Sequence, residues 1–284
     1  MFEWEAGGKR FVIRDVEGEA EYHAIEDIQR EAWSFGDLDV VPLSTLVATK
    51  WAGGIVIGAF EGDYMIGFAY GFPGYEDGRV SIHSHMLAVR PDYRNARAGF
   101  FLKIAQRREA LDKGIDEITW TFDPLQSLNA HLNFAKLGVI SNRYIVNLYG
   151  EETTSPLHKG FGTDRLWVRW LLESDRVREL AERAASGFAP HGAALPAAQP
   201  RIVYAESGRP RFADVRECLA ENRCLIEIPY DINGLKERDP EAGLEWREAT
   251  RAAFQSALEA GFTVTDFVKL REDETTTCFY ILAR

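Results

Sequence analysis

The chain has 284 residues, 46% hydrophobic and 27% charged, with a formal net charge of −11. That composition supplies core enough for two packed domains and excludes a disordered chain, and so acidic a balance excludes non-specific attraction to nucleic acid or anionic membrane. Cys218, Cys224 and Cys278 form no disulfide framework, and no Cys/His spacing resembles a zinc site. The start, Met-Phe-Glu-Trp-Glu-Ala, lacks the basic and apolar stretches of a secretion signal, so a cytoplasmic protein is expected.

In chain order, Arg10–Asp15 alternates as a strand. Glu21–Trp33 reads as a helix with Ala24, Ile25, Ile28 and Trp33 near one face. Pro42 and Ser44 open a short helix, with Ser44 as its N-cap. Gly54–Phe60 and Tyr64–Gly71 are strands joined by Glu61-Gly62-Asp63, which is hairpin chemistry. A turn at Pro73–Gly78 leads to a strand over Arg79–Val89, which Pro91 ends. The helix over Gly99–Lys113 presents Phe101, Ile104, Ala105 and Leu111 on one face and is capped by Gly114. A strand over Glu117–Phe122, a helix over Ser127–Lys136, and strands at Tyr144–Tyr149 and Leu166–Leu172 follow. This order predicts a mixed sheet with one parallel βαβ crossover. Glu173–Ser186 is a charged helix. Residues 187–200 hold three Pro, two Gly and five Ala without a period and read as a linker. Beyond it come strands at Ile202–Ala205 and Cys224–Pro229, a helix over Glu241–Ala260, and strands at Phe262–Leu270 and Thr275–Leu282. The expected domains are therefore 1–172, a helix and linker over 173–200, and a smaller α/β domain over 201–284. The passage strand, Pro91, helix, Gly114, strand is echoed weakly by strand, Pro229, helix, Gly261, strand.

The chemistry concentrates between His83 and Gly99, where a strand passes through a tight turn into a helix. A helix start exposes unpaired N–H groups and the positive end of its dipole, so it holds phosphate. Arg94 and Arg97 stand at that start and add charge-assisted contacts. Residues 89–108 carry Arg90, Arg94, Arg97, Lys103, Arg107 and Arg108 against Asp92, a net +5 in an acidic chain. A solvated basic helix face would give the same count. On the strand, period two places His83, His85, Leu87 and Val89 on one face, and an imidazole with its ordinary near-neutral pKa suits proton abstraction. Asp123, before Pro124, stands at a strand end, where it either holds a cationic amine or shapes the turn. Thr163-Asp164-Arg165 has no motif mechanism.

These residues resemble the GNAT superfamily of N-acetyltransferases. The family pattern Val-x-Pro-x-x-Arg-Gly-x-Gly-x-Gly/Ala is met by Val89-Arg90-Pro91-Asp92-Tyr93-Arg94-Asn95-Ala96-Arg97-Ala98-Gly99, with Asn95 and Arg97 where the family has glycine. A second signature is matched by Asn129-Ala130 through Phe134-Ala135-Lys136-Leu137-Gly138, with Phe134 at the place of the tyrosine usually credited with protonating the leaving thiolate. The whole chain is also similar to a bacterial group of predicted GNAT proteins that share Trp120–Leu125, Thr163–Arg165 and Trp246-Arg247. The resemblance implies an α/β fold, a GNAT-type mixed central sheet flanked by helices, followed by a smaller degenerate GNAT-like α/β domain. It implies acetyl-CoA or another acyl-CoA as cofactor, and direct N-acyl transfer to a small amine or amino acid. It further implies backbone contacts from Leu87, Ala88 and Val89 to the pantetheine arm. Arg94, Asn95, Ala96, Arg97, Ala98, Gly99 and Phe100 would surround the pyrophosphate, with Asn129 and Phe134 towards the thiol. His83 falls at the general-base position, and His85 is its rival. Tyr144 is the nearest stand-in for the missing acid, unless it is a core strand tyrosine. The departures at Asn95, Arg97 and Phe134 keep a non-catalytic acyl-CoA-binding or regulatory module as the alternative. The tail either pairs two copies or covers the acceptor pocket.

Overall fold

The computed structural model describes the chain except residues 77, 151–159, 186–198, 219–220 and 273–274. Most of the linker expected at 187–200 therefore lies outside the described residues. By compactness the chain divides into two units, one over Met1–Trp120 and the other from Thr121 onward. Both mix helices with a sheet, as expected for the fold class. Among the described residues no helix is long and apolar enough to cross a membrane.

The first unit contains β1 (Phe2–Ala6), β2 (Lys9–Asp15), α1 (Gly18–Trp33), α2 (Leu43–Trp51), β3 (Ile55–Glu61), β4 (Tyr64–Glu76), β5 (Arg79–Val89), α3 (Ala98–Asp112) and most of β6 (Glu117–Phe122). β1 to β5 pair antiparallel in chain order, and β6 joins β5 in parallel. One sheet face packs Val56, Phe68, Tyr70 and Ala88 against Tyr22, Ile25 and Ile28 of α1 and Leu46 of α2. The other face carries α3. A turn was expected at Pro73–Gly78, yet β4 runs on to Glu76, with Pro73 opposite Ile82. The reason is that β3 reaches β4 only as far as Gly71, so the missing N–H of Pro73 costs no ladder bond on that side. Nor does Ser44 cap α2: the helix starts at Leu43, with Pro42 at the N-cap position and no side-chain cap.

The second unit contains α4 (Ser127–Ala130), which continues as a π-helical turn over His131–Lys136, then β7 (Ile140–Ile145), β8 (Arg165–Leu171) and α5 (Asp175–Ala185). β9 (Arg201–Glu206), β10 (Arg209–Phe212), β11 (Arg223–Ile228), α6 (Ile232–Arg238), α7 (Pro240–Glu259), β12 (Thr263–Glu272) and β13 (Thr275–Ala283) complete it. The strand expected over Tyr144–Tyr149 ends at Ile145, because Asn147 turns the chain with φ 47°. α7 starts one residue earlier than the expected Glu241, with Asp239 accepting from the Ala242 N–H and Pro240 in the first turn. The echo between the two Pro–helix–Gly passages is incomplete. β5 and β6 pair directly, whereas β13 inserts between β11 and β12 and pairs with both.

Candidate functional site

The site is built on β5. Gly67 to Tyr70 of β4 face Val89 to Met86, but Gly71 faces Ser84, so His85 is one residue too many. This β-bulge flips the alternation of the strand. Gly71 sits beside the bulge, and a Cβ there would lie 2.9 Å from the His83 carbonyl oxygen and 3.0 Å from Ile82 Cγ2. Period two had placed His83, His85, Leu87 and Val89 on one face; the bulge separates them. His83 and His85 lie against the Phe72 ring, 5.4 and 5.6 Å between centroids, on the side of α1 and α2. Leu87 and Val89 turn to the other side, against Gly99 of α3.

The two histidines differ. The His83 ring is half-buried, and its Nδ1 lies 3.0 Å from Thr119 Oγ1. Burial, reinforced by the nearby His85 and Lys103, pushes its pKa down to about 4. The ordinary near-neutral value expected of it is therefore not what this environment gives. His85 is exposed at the bulge, and partial desolvation beside the Tyr70 and Phe72 rings lowers its pKa.

β5 and β6 pair only at Ile82↔Ile118 and His83↔Thr119 among the described residues. From Ser84 to Val89 the strand keeps β4 on one side and leaves its other edge open. The Arg90 N–H bonds to the Ile66 carbonyl of β4, so by strand alternation the polar backbone groups of Leu87 and Val89 project towards the open edge.

After β5, a 3-10 turn over Pro91–Ala96 leads into α3. Arg97 is the N-cap residue and adopts φ 62°, the left-handed conformation that favours glycine. The helix starts with no side-chain cap, and its first main-chain bonds to Arg97 come from Phe100 and Phe101, which leaves the N–H groups of Ala98 and Gly99 without helical partners. Arg94, Asn95 and Arg97 are exposed, and the Arg97 guanidinium lies 5.1 Å from the Phe101 ring centre. The turn is braced from the N-terminus: Trp4 Nε1 donates to the Ala96 carbonyl at 2.8 Å, and Tyr93 donates to Glu61 at 2.7 Å. These features fit a pyrophosphate: two free N–H groups at the start of a 15-residue helix, two exposed guanidinium groups, and a backbone that already takes the glycine-like turn.

The basic island is smaller than its formal charge. Arg90 is ion-paired with Glu31 and donates to the Met65 carbonyl. Lys103 is buried, and desolvation holds its pKa well below the ordinary lysine value.

The remaining candidates lie in the second unit. Asn129 is exposed on α4, and Phe134 is fully buried in the π-helical turn, edge-on to Tyr280 at 5.6 Å. Ser127 does not cap this helix; its hydroxyl donates to the Tyr230 carbonyl at 2.6 Å. Tyr144 donates to Asp164 at 2.6 Å and stacks on Phe254, and burial drives its pKa upward. It is half-buried and already engaged by these partners. Asp164 also takes two bonds from Arg251, at 2.8 and 3.0 Å. Asp123 caps its own turn at the Leu125 N–H and accepts from Arg247 at 2.9 Å on both oxygens. Both aspartates thus hold the interior of the second unit together, a role that no spacing in the sequence announces, since their partners stand 124 and 87 residues away.

The profile of the Acetyltransferase (GNAT) family matches residues 19–139. Among solved structures, a putative acetyltransferase from Salmonella typhimurium with its cofactor acetyl-CoA is 18% identical, with 58% of this chain and 95% of that one covered at a TM-score of 0.48. The ribosomal-protein-S18-alanine N-acetyltransferase of Escherichia coli is 17% identical over 56% of this chain and 92% of that one, at 0.45. A GNAT family acetyltransferase from Elizabethkingia anophelis with acetyl-CoA bound is 15% identical over 57% and 98%, at 0.46. A search of the curated proteins found no match.

Proposed function

We propose, from the match of residues 19–139 to the GNAT acetyltransferase family, that this chain is an N-acyltransferase that moves an acyl group, acetyl first, from acyl-CoA to a small amine or amino acid by direct transfer. The observation that carries this reading is the coincidence, within residues 87–99, of an open strand edge at Leu87–Val89 and an uncapped helix start at Ala98–Gly99. Bound acyl-CoA supplies a thioester whose carbonyl is already activated towards an amine.

The chain's own residues then divide the work. Arg94, Arg97 and the N–H groups of Ala98 and Gly99 hold phosphate, while Asn95, Ala96 and Phe100 complete the turn. Leu87 and Val89 offer backbone donors and acceptors to an amide-bearing arm. In this reading His85 takes the proton from the attacking amine. A base works best when its pKa lies near the working pH, and His83, at about 4 and bonded to Thr119, is the poorer one. Phe134 has no proton to give the departing thiolate, and Tyr144 is held by Asp164. That vacancy favours a second reading, an acyl-CoA-binding module without turnover.

Calorimetric titration of acetyl-CoA into the purified protein, followed by a thiol-release screen against amines, separates the two. The proposal expects saturable binding that Arg94→Ala weakens about tenfold, the worth of one charge-assisted contact. It also expects turnover that His85→Ala lowers on the order of a hundredfold with acetyl-CoA affinity unchanged. Binding without thiol release from any amine would leave the module; full turnover in His85→Ala would move the base to His83 or to solvent.

A further inference from the structure

β5 and β6 separate immediately beyond His83↔Thr119. The next residue on each strand is Ser84 and Trp120, and a single side chain from α3 joins them. Lys103 Nζ donates to Ser84 Oγ at 2.7 Å and lies 3.7 Å from the centre of the Trp120 ring. Its other polar neighbour is Gln106, with Oε1 at 3.4 Å. Lys103 is 4% exposed, Ser84 5%, Trp120 6% and Gln106 0%, so this is a closed polar knot inside an apolar layer. No carboxylate hydrogen-bonds or pairs with Lys103 among the described residues. Among the described residues Gln106 Nε2 is buried without a hydrogen-bond partner.

A long polar side chain is an expensive filler for such a position, since a leucine or methionine would occupy the volume without desolvating an amine. What Lys103 achieves here is length: from α3 it reaches the point where the strands part and ties both walls together. In the acyl-transfer reading, on which this inference rests, an arm that runs along the open edge of β5 from Val89 towards Ser84 brings its acyl end to that point.

We propose that Lys103, with Trp120, is the specificity determinant for the acyl group, closing the apex of the cleft between β5 and β6 so that it admits acetyl and excludes longer chains. A small residue at position 103 would leave the volume of the lysine stem continuous with the cleft, with Ser84 and Gln106 free to bond each other.

The test is calorimetry on the full chain with CoA, acetyl-CoA, butyryl-CoA and hexanoyl-CoA. For the wild type, acetyl-CoA binds at least about tenfold more tightly than hexanoyl-CoA, the penalty expected when methylenes meet a closed pocket. In Lys103→Ala that ratio falls to about threefold or less while CoA affinity is retained. Trp120→Leu, which opens the cleft from its other wall, shifts the ratio the same way and serves if Lys103→Ala fails to fold. Equal wild-type affinity for acetyl- and hexanoyl-CoA overturns the proposal. So does an unchanged ratio in a folded variant that still binds CoA. Failure of CoA itself to bind the wild type has a different signature and overturns the acyl-CoA reading beneath it.

Discussion

Lys103 in the first unit and Arg247 in the second are both buried, and they are treated in opposite ways. Arg247, 2% exposed, bonds both oxygens of Asp123, and although burial opposes its charge, Asp123, with Tyr144 and Asp164 nearby, overrides that cost and raises its pKa. Lys103, 4% exposed, has only neutral partners among the described residues, and desolvation lowers its pKa well below the ordinary value. The lesson concerns what burial demands of each side chain. Guanidinium cannot shed its proton and must be given a carboxylate, whereas an amine can become neutral and remain as a hydrogen-bond donor. The interior of the second unit is therefore pinned by an ion pair, and the knot in the first unit is tied through a hydroxyl, an amide and an aromatic ring.

The contrast can be broken most sharply at Asp123. Asp123→Ala strands a buried guanidinium and should cost about 3–5 kcal/mol in chemical denaturation, with much of it recovered in the double variant Asp123→Leu/Arg247→Met. A loss below about 1 kcal/mol would mean that the pair is not holding the unit. A middle-sized effect comes with acid. Burial pushes His83 in the first unit and His131 in the second down to about 4. Both folded-state values lie below the unfolded imidazole value of about 6.5. The unfolded chain thus binds more protons between these limits, and stability falls as pH drops from about 6.5 to about 4, on the order of 1–3 kcal/mol per histidine. Urea midpoints measured across that window check the sign; a midpoint that is flat there would contradict it. The smallest effect belongs to Lys103→Met. If Lys103 is already a neutral amine, the replacement costs within about 1.5 kcal/mol at pH 7, against the several expected for a paired charge.

Much of the fold was legible because it is local. The hairpin at Glu61-Gly62-Asp63, the stop at Pro91 and the cap at Gly114 each carry their own signal within a few residues. The turn into α3 was legible for the same reason. The bulge at His85 was not. Nothing in His83-Ser84-His85-Met86 departs from an ordinary strand, and the only cue, Gly71, lies on the neighbouring strand. The basic island misled in a different way. Counting charges gave Lys103 the same weight as Arg94, but a charge count does not know which face of the helix is buried. Asp123 and Asp164 were unreadable because their roles are set by Arg247 and Arg251, brought together only by the folded chain.

The indole of Trp4 reaches from the first strand to the carbonyl of Ala96, the residue before the left-handed turn into α3. It is held there by stacking on Phe11 and Phe101. In engineering terms, residues 90–100 are not a portable cassette. Grafted onto another scaffold, they would leave behind the anchor that holds the Ala96–Arg97 peptide in place, and it comes from the far edge of the sheet, from the fourth residue of the chain.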